Sequence, residues 1–144
     1  MKEPVEVLLQ NPLESFLPHS YPMVLIRSIE QLDEHLIECK TQFQDVAFFG
    51  CKQGVPIAWS VEIIAQACAL FVAIHKYGTN ITTGRLLKCG GFEFRAPYLP
   101  YDQELMVSAN LDAAGDSGLW IFEGTIKDQT ETFLAGGNMN ILVQ

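Results

Sequence analysis

The sequence predicts an α+β domain in which a curled antiparallel sheet wraps around one long helix. Three observations point there. The 144 residues suit a single ordinary domain, with enough apolar content for one continuous core. Trp59 to Tyr77 is rich in Ala, Ile and Leu, contains no Gly or Pro, follows Pro56 and is closed by Gly78, the pattern of a long buried helix. Stretches of strand character then follow at Arg85 to Ala96, Glu104 to Leu111, Leu119 to Lys127 and Thr132 to Val143.

Taken in chain order, Asn11 caps a helix with Pro12 at its first position, and Leu17-Pro18 ends it after one or two turns. From Pro22 the chain reads as a strand through Met23, Val24, Leu25, Ile26 and Ile29. It turns at Asp33-Glu34 into a hairpin partner near Leu36 to Phe43. Beyond the long helix, turn chemistry at Pro97 to Asp102, Gly115 to Gly118 and Asp128 to Thr130 separates the four strands. Gly90-Gly91 and Gly136-Gly137 fall inside strands, where paired glycines mark bulges or strong bending. With no repeat, low-complexity tract or linker to divide it, the chain forms one domain over residues 1–144. A helix apolar nearly all round needs cover on most sides, and a sheet curled about it provides that cover. This is the hotdog architecture. Its sheet leaves free edges, and pairing them across a two-fold axis hides them, so at least a dimer is expected.

Composition removes several classes of function. Met1 to Gln10 carries no signal-peptide pattern, which gives a cytoplasmic expectation. The longest apolar run, Ile57 to Ile74, contains Ser60, Glu62 and Gln66, so a buried helix fits it better than a membrane span. Cys39, Cys51, Cys68 and Cys89 form no CxxC pair and have no histidine at zinc-finger spacing. They read as free thiols with no metal site. A net charge of −8 argues against a nucleic-acid binder. Yet Lys52, Lys76, Arg85, Lys88 and Arg95 face only Glu62 and Glu93 in the middle of the chain. That locally positive stretch is either a dock for an acidic partner or a set of scattered solvated side chains.

Within the apolar helix, Glu62 and Gln66 lie four apart, and Ala69 and Ala73 continue the stripe, as in the wall of a cavity. Burial among Val61, Ile63, Ile64 and Ala65 disfavours the ionised carboxylate and suits Glu62 to general acid work. The competing reading places Glu62 in solvent, favoured only by the helix dipole. The first amides of the helix, after Val55-Pro56-Ile57-Ala58, are able to polarise a carbonyl, although every helix has such an end.

Leu17-Pro18-His19-Ser20-Tyr21-Pro22-Met23-Val24-Leu25 resembles the LPHRYPFLL segment of FabZ-type 3-hydroxyacyl-acyl carrier protein dehydratases. Val55 to Ala67 looks like their MPGVLIIEAMAQA, with Glu62 on the catalytic carboxylate and Gln66 on the following glutamine. Phe92 to Pro97 is similar to their FKRPV strand. Two departures stand out. The family's GHFPG histidine has no counterpart in Phe49-Gly50-Cys51-Lys52, and its glycine at the helix entrance is Ile57 here. A divergent branch, the ApeP-like dehydratases of aryl polyene pathways, shares these departures. Its PHRxPM and VPxWxxIExMAQ strings look closer to His19 through Met23 and to Val55 through Gln66.

The resemblance implies a hydro-lyase that eliminates water from a 3-hydroxyacyl thioester in fatty-acid or polyene biosynthesis. His19 would be the base and Glu62 the acid, with the amides of Ile57 and Ala58 at the thioester oxygen. Tyr21, Met23, Trp59, Gln66 and Phe94 would contact substrate. It implies no cofactor of the protein's own, since the acyl chain arrives on the phosphopantetheine arm of an acyl carrier protein docked at Arg85, Lys88 and Arg95. A homodimer or a heterodimer with another hotdog protein is implied, without nucleic acid or membrane insertion. His35 and His75 read as surface residues. For His19 a structural role between two prolines competes. Two rivals share the fold: an impaired partner subunit, favoured by the missing loop histidine, and an acyl thioesterase.

Overall fold

The computed structural model describes residues 10, 12–18, 23–44, 46–77 and 84–144. After a single 3-10 turn at Leu13–Ser15, the elements are β1 (Ser28–Leu32), β2 (Leu36–Thr41), α1 (Val46–Phe49), β3 (Val55–Pro56) and α2 (Trp59–His75). Then come β4 (Gly84–Phe94), β5 (Tyr98–Leu99), β6 (Leu105–Ala114), β7 (Leu119–Lys127) and β8 (Phe133–Val143). Six strands form one antiparallel sheet in the order β1-β2-β6-β7-β8-β4, and β3 pairs separately with β5. The sheet curls around α2, whose Ile63, Ile64, Ala67, Leu70 and Phe71 are fully buried. This is the hotdog fold that the sequence predicts. Burial of each of the larger side chains, Ile63, Ile64, Leu70 and Phe71, stabilises the core by about 1.5–3 kcal/mol.

Alternation in the strands explains which face meets the helix. In β2, Ile37, Cys39 and Thr41 point inward, and in β6 Leu105, Val107 and Ala109 do so. β7 places Gly124 directly beneath Ile64, so close that a Cβ would strike the Ile64 side chain. Glycine at this one position lets the helix settle onto the middle of the sheet. A second close approach fixes the helix entrance: Gly54, at φ +152°, runs against the Leu99 carbonyl as β3 pairs with β5.

Several predicted boundaries shift. Residues 23–27 do not join the sheet, and β1 begins only at Ser28. The hairpin itself forms, with Asp33 Oδ1 accepting the N–H groups of His35 and Leu36 at 2.8 Å in the turn. The paired glycines divide. Gly90-Gly91 does lie at a register break of β4, with Gly91 at φ +60°. Gly136 and Gly137 serve close packing instead, since Cβ atoms there would meet the Gly124 carbonyl and the Phe92 ring. The Asn11 cap and the closing Gly78 lie outside the described residues.

The sheet's two edges differ. β1 is five residues long and exposes Glu30 and Gln31. β4 runs for eleven residues and leaves Leu86, Leu87 and Phe94 at 44%, 56% and 46% exposure. All four cysteines are free. Among the described residues no helix is long and apolar enough to cross a membrane.

Candidate active site

Glu62 stands in the first turn of α2, half-buried. One turn on, Gln66 is 1% exposed. Its Nε2 donates to the Met23 carbonyl at 2.7 Å and to Glu62 Oε1 at 3.1 Å, while its Oε1 accepts the Leu25 N–H at 2.8 Å. The irregular stretch before β1 therefore borrows a side chain from the helix to satisfy its peptide groups, as buried backbone must. On the stripe around Glu62, residues Ala65, Ala69 and Ala73 are only half-buried, so this is the least covered side of the helix. The carboxyl is neither waving in solvent nor sealed in the core.

The resemblance implies that Gln66 touches substrate, and the structure shows its amide already engaged within the chain. Both of its N–H groups are taken, one by Met23 and one by Glu62, so none is left for a ligand. The amide acts on the carboxylate. Met23, half-buried, has its carbonyl on the same amide. His19 and Tyr21 lie outside the described residues, and the described chain resumes at Met23.

The helix entrance corrects a second expectation. Ile57 N–H donates to the Pro97 carbonyl at 3.1 Å, so it is not free to hold a thioester oxygen. The link is a long-range one, made because Val55–Pro56 pairs with Tyr98–Leu99. Ala58 is exposed, and its N–H has no acceptor among the described residues. Of the two amides, only Ala58's remains available. The neighbouring Ser60 hydroxyl is fully buried without a hydrogen-bond partner among the described residues.

Trp59 opens α2 inside an aromatic cluster, 5.8 Å from the Phe48 ring and 5.3 Å from that of Phe49. Phe43 and Tyr101 extend the cluster on the far side of Phe49. Tyr101 Oη donates to the Cys51 carbonyl at 2.6 Å, which ties down the loop where the resemblance looks for a histidine. In that loop the Cys51 thiol donates to Gln53 Oε1 at 3.0 Å. A hydrogen bond to the same thiol, together with its charge, pushes the Tyr98 phenol above its ordinary value.

Phe94 lies at an open edge of the sheet. It is 46% exposed near the end of β4, with its ring 5.7 Å from Phe92. Arg85, Lys88 and Arg95 are all exposed along β4 or just after it. Arg95 pairs with Glu93 at 2.9 Å and lies over the Phe133 ring, so part of its charge is already answered. His35 is exposed, as expected. His75 differs: half-buried, it stacks on Phe71 at 4.0 Å, and its Nδ1 lies 2.9 Å from the Phe71 carbonyl. Among the described residues no group of three or more His, Cys, Asp or Glu is arranged to hold a metal ion.

Thr41 is the site residue that sequence reasoning misses. Its hydroxyl donates to the Leu25 carbonyl, and the residue is 1% exposed. A signal is present, since Thr41 is the one polar side chain at an inward position of β2.

Comparison with known proteins agrees with this architecture. A family model described as ApeP-like, ApeP dehydratase, matches residues 11–144. Among solved structures, the chain is similar to the dehydratase heterocomplex ApeI:P from Xenorhabdus doucetiae. The TM-score is 0.80 at 23% identity, over 93% of this chain and 91% of that one. A hypothetical thioesterase from Streptococcus pneumoniae, solved with coenzyme A, superposes with a TM-score of 0.67 at 12% identity, over 81% and 84%. The PaaI protein of the Escherichia coli phenylacetic acid degradation operon gives 0.63 at 14%, over 79% and 80%. At these identities the likeness carries the fold alone.

Proposed function

This chain belongs to the ApeP-like dehydratase family, and from that premise we propose that it removes water from a 3-hydroxyacyl thioester, with Glu62 as the acid. The observation that carries the proposal is the half-buried Glu62 carboxyl held by Gln66, whose amide is itself anchored on Met23 and Leu25. His19 is the base. Only three residues separate it from Met23, a reach of at most about 14 Å over four steps of extended chain. The imidazole takes the proton from the carbon next to the thioester, the C–O bond to the hydroxyl breaks as the double bond forms, and Glu62 protonates the departing oxygen to give water. The Ala58 amide, at the positive end of α2, steadies charge on the thioester oxygen. Trp59 and its aromatic neighbours form the apolar wall for the acyl chain.

The substrate rides on the phosphopantetheine arm of an acyl carrier protein, whose acidic surface Arg85, Lys88 and Arg95 receive. Their position on and just after β4 puts that dock beside the sheet edge. The same edge, with Leu86 and Leu87 exposed, pairs with a second hotdog chain. The heteromeric state of the ApeI:P relative supports a different hotdog protein as that partner.

A second reading has one specific observation in its favour: Cys51 occupies the loop in which the resemblance looks for a histidine. Under it the chain supports an active partner and does no chemistry. The experiment is to assay 2-enoyl thioester hydration and 3-hydroxyacyl thioester dehydration with the chain alone and with a second hotdog subunit. Glu62→Gln and His19→Ala are run beside the wild type. Loss of turnover in both folded variants supports the proposal. Unchanged turnover in both assigns the chemistry to the partner, and release of free thiol in place of an enoyl thioester assigns hydrolysis.

A further inference from the structure

Polar side chains in a protein core need partners, because leaving a hydroxyl or amide unsatisfied there costs roughly 1–3 kcal/mol. Among the described residues three polar side chains are buried: Thr41, Ser60 and Gln66. Two of them, on separate elements, converge on one residue, holding the peptide groups on either side of its Cα. Thr41, on β2, donates to the Leu25 carbonyl, and the Leu25 N–H donates to Gln66 Oε1 at 2.8 Å. Leu25 belongs to no strand, so these side chains do for it what a sheet ladder does elsewhere.

The arrangement decides which way the Gln66 amide points. With Oε1 facing the Leu25 N–H, Nε2 must face the Met23 carbonyl at 2.7 Å and Glu62 Oε1 at 3.1 Å. Flipping the amide would set its N–H groups against the Leu25 N–H and its oxygen against two acceptors. Backbone groups thus fix the amide, and the amide fixes Glu62.

We propose that Thr41 is a positioning residue for Glu62, acting through Leu25 and Gln66 to hold the carboxyl in its place. The role rests on the dehydratase reading above, but the relay also exists as geometry that can be tested without turnover. Thr41 touches no reacting atom. Removing its hydroxyl leaves the Leu25 carbonyl without a partner among the described residues and loosens the residue whose N–H orients Gln66.

The test uses the full chain, with whatever partner its activity requires, and compares Thr41→Val with Thr41→Ser. Nitrogen-edited NMR follows the Gln66 side-chain amide across a pH titration, with Glu62→Gln as control. In the wild type one amide proton moves as Glu62 titrates, and in the control it does not. Thr41→Val reduces that movement at least by about half and lowers kcat about tenfold, with KM within about twofold; Thr41→Ser restores both. Thr41→Cys replaces the valine variant if the latter fails to fold. Wild-type amide behaviour together with wild-type kcat in Thr41→Val overturns the proposal. Turnover insensitive to Glu62→Gln tells instead against the functional reading, and the amide signal in Thr41→Val still decides the relay.

Discussion

The two sides of α2 solve opposite problems with the same helix. Toward the sheet, Ile63, Ile64, Ala67, Leu70 and Phe71 are fully buried, with Gly124 cut away to admit Ile64. Toward the stretch before β1, Glu62 is half-buried and Gln66 makes three hydrogen bonds. One side stabilises the fold by excluding polar groups. The other keeps a polar group ready at a modest cost, because hydrogen bonds offset the desolvation of the amide. Stability and chemistry are therefore separable on one helix.

That separation makes the largest prediction a double dissociation. Glu62→Gln should lower kcat by about 100- to 10,000-fold, the usual worth of a general acid. Its unfolding free energy in urea should change by no more than about 0.5 kcal/mol, since the substitution is isosteric and the site is partly open. Phe71→Ala should do the reverse. Phe71 is fully buried and packs edge-on against Trp120 and Phe122, so truncation should cost about 3–5 kcal/mol while kcat per folded molecule stays put. Equilibrium unfolding and active-site-normalised kinetics on the two variants check it. Equal loss of both properties in either variant breaks the comparison.

Sequence legibility follows the same division. The dry side is readable because it is periodic: the apolar run between Pro56 and Gly78, free of internal Gly and Pro, is too long for a strand, and strand alternation assigns the inward faces. The polar side is half legible. Glu62 and Gln66 stand out as polar groups four apart in an apolar run, yet nothing local says that Gln66 serves the backbone at Met23 and Leu25, more than forty residues away. The Ile57 amide misleads for the same reason. Its acceptor, Pro97, is brought in by a two-residue pairing of Val55–Pro56 with Tyr98–Leu99, too short to leave a pattern. Phe94 is exposed on the single chain because aromatic character marks burial only on average, and β4 is an edge.

A smaller effect sharpens the dry side. Gly124→Ala places a methyl on the Ile64 side chain, and overpacking of this kind costs about 1–3 kcal/mol. Pairing it with Ile64→Val, which frees room, should recover part of that loss. A double-mutant cycle by chemical denaturation reads the coupling, and strict additivity would mean that the helix shifts bodily instead of compressing at one point.

The smallest effect concerns titratable groups on the dry side. Cys39, on an inward position of β2, is pushed by burial from 9.0 to about 12, with the charges of Glu30 and Glu38 adding to the rise. Cys68, on α2, is pushed up by burial as well, with Cys39 contributing. The folded state thus holds these thiols neutral where the unfolded chain would ionise them. Above about pH 9 the unfolded state binds fewer protons than the folded one, so stability falls as pH rises, and below that value the thiols contribute no pH dependence. Each thiol should remove about 1.4 kcal/mol by about pH 10. Denaturation midpoints measured from neutral to alkaline pH should decline more gently in Cys39→Ala than in the wild type. An identical slope would mean that this side of the helix admits water at high pH and is less dry than its packing implies.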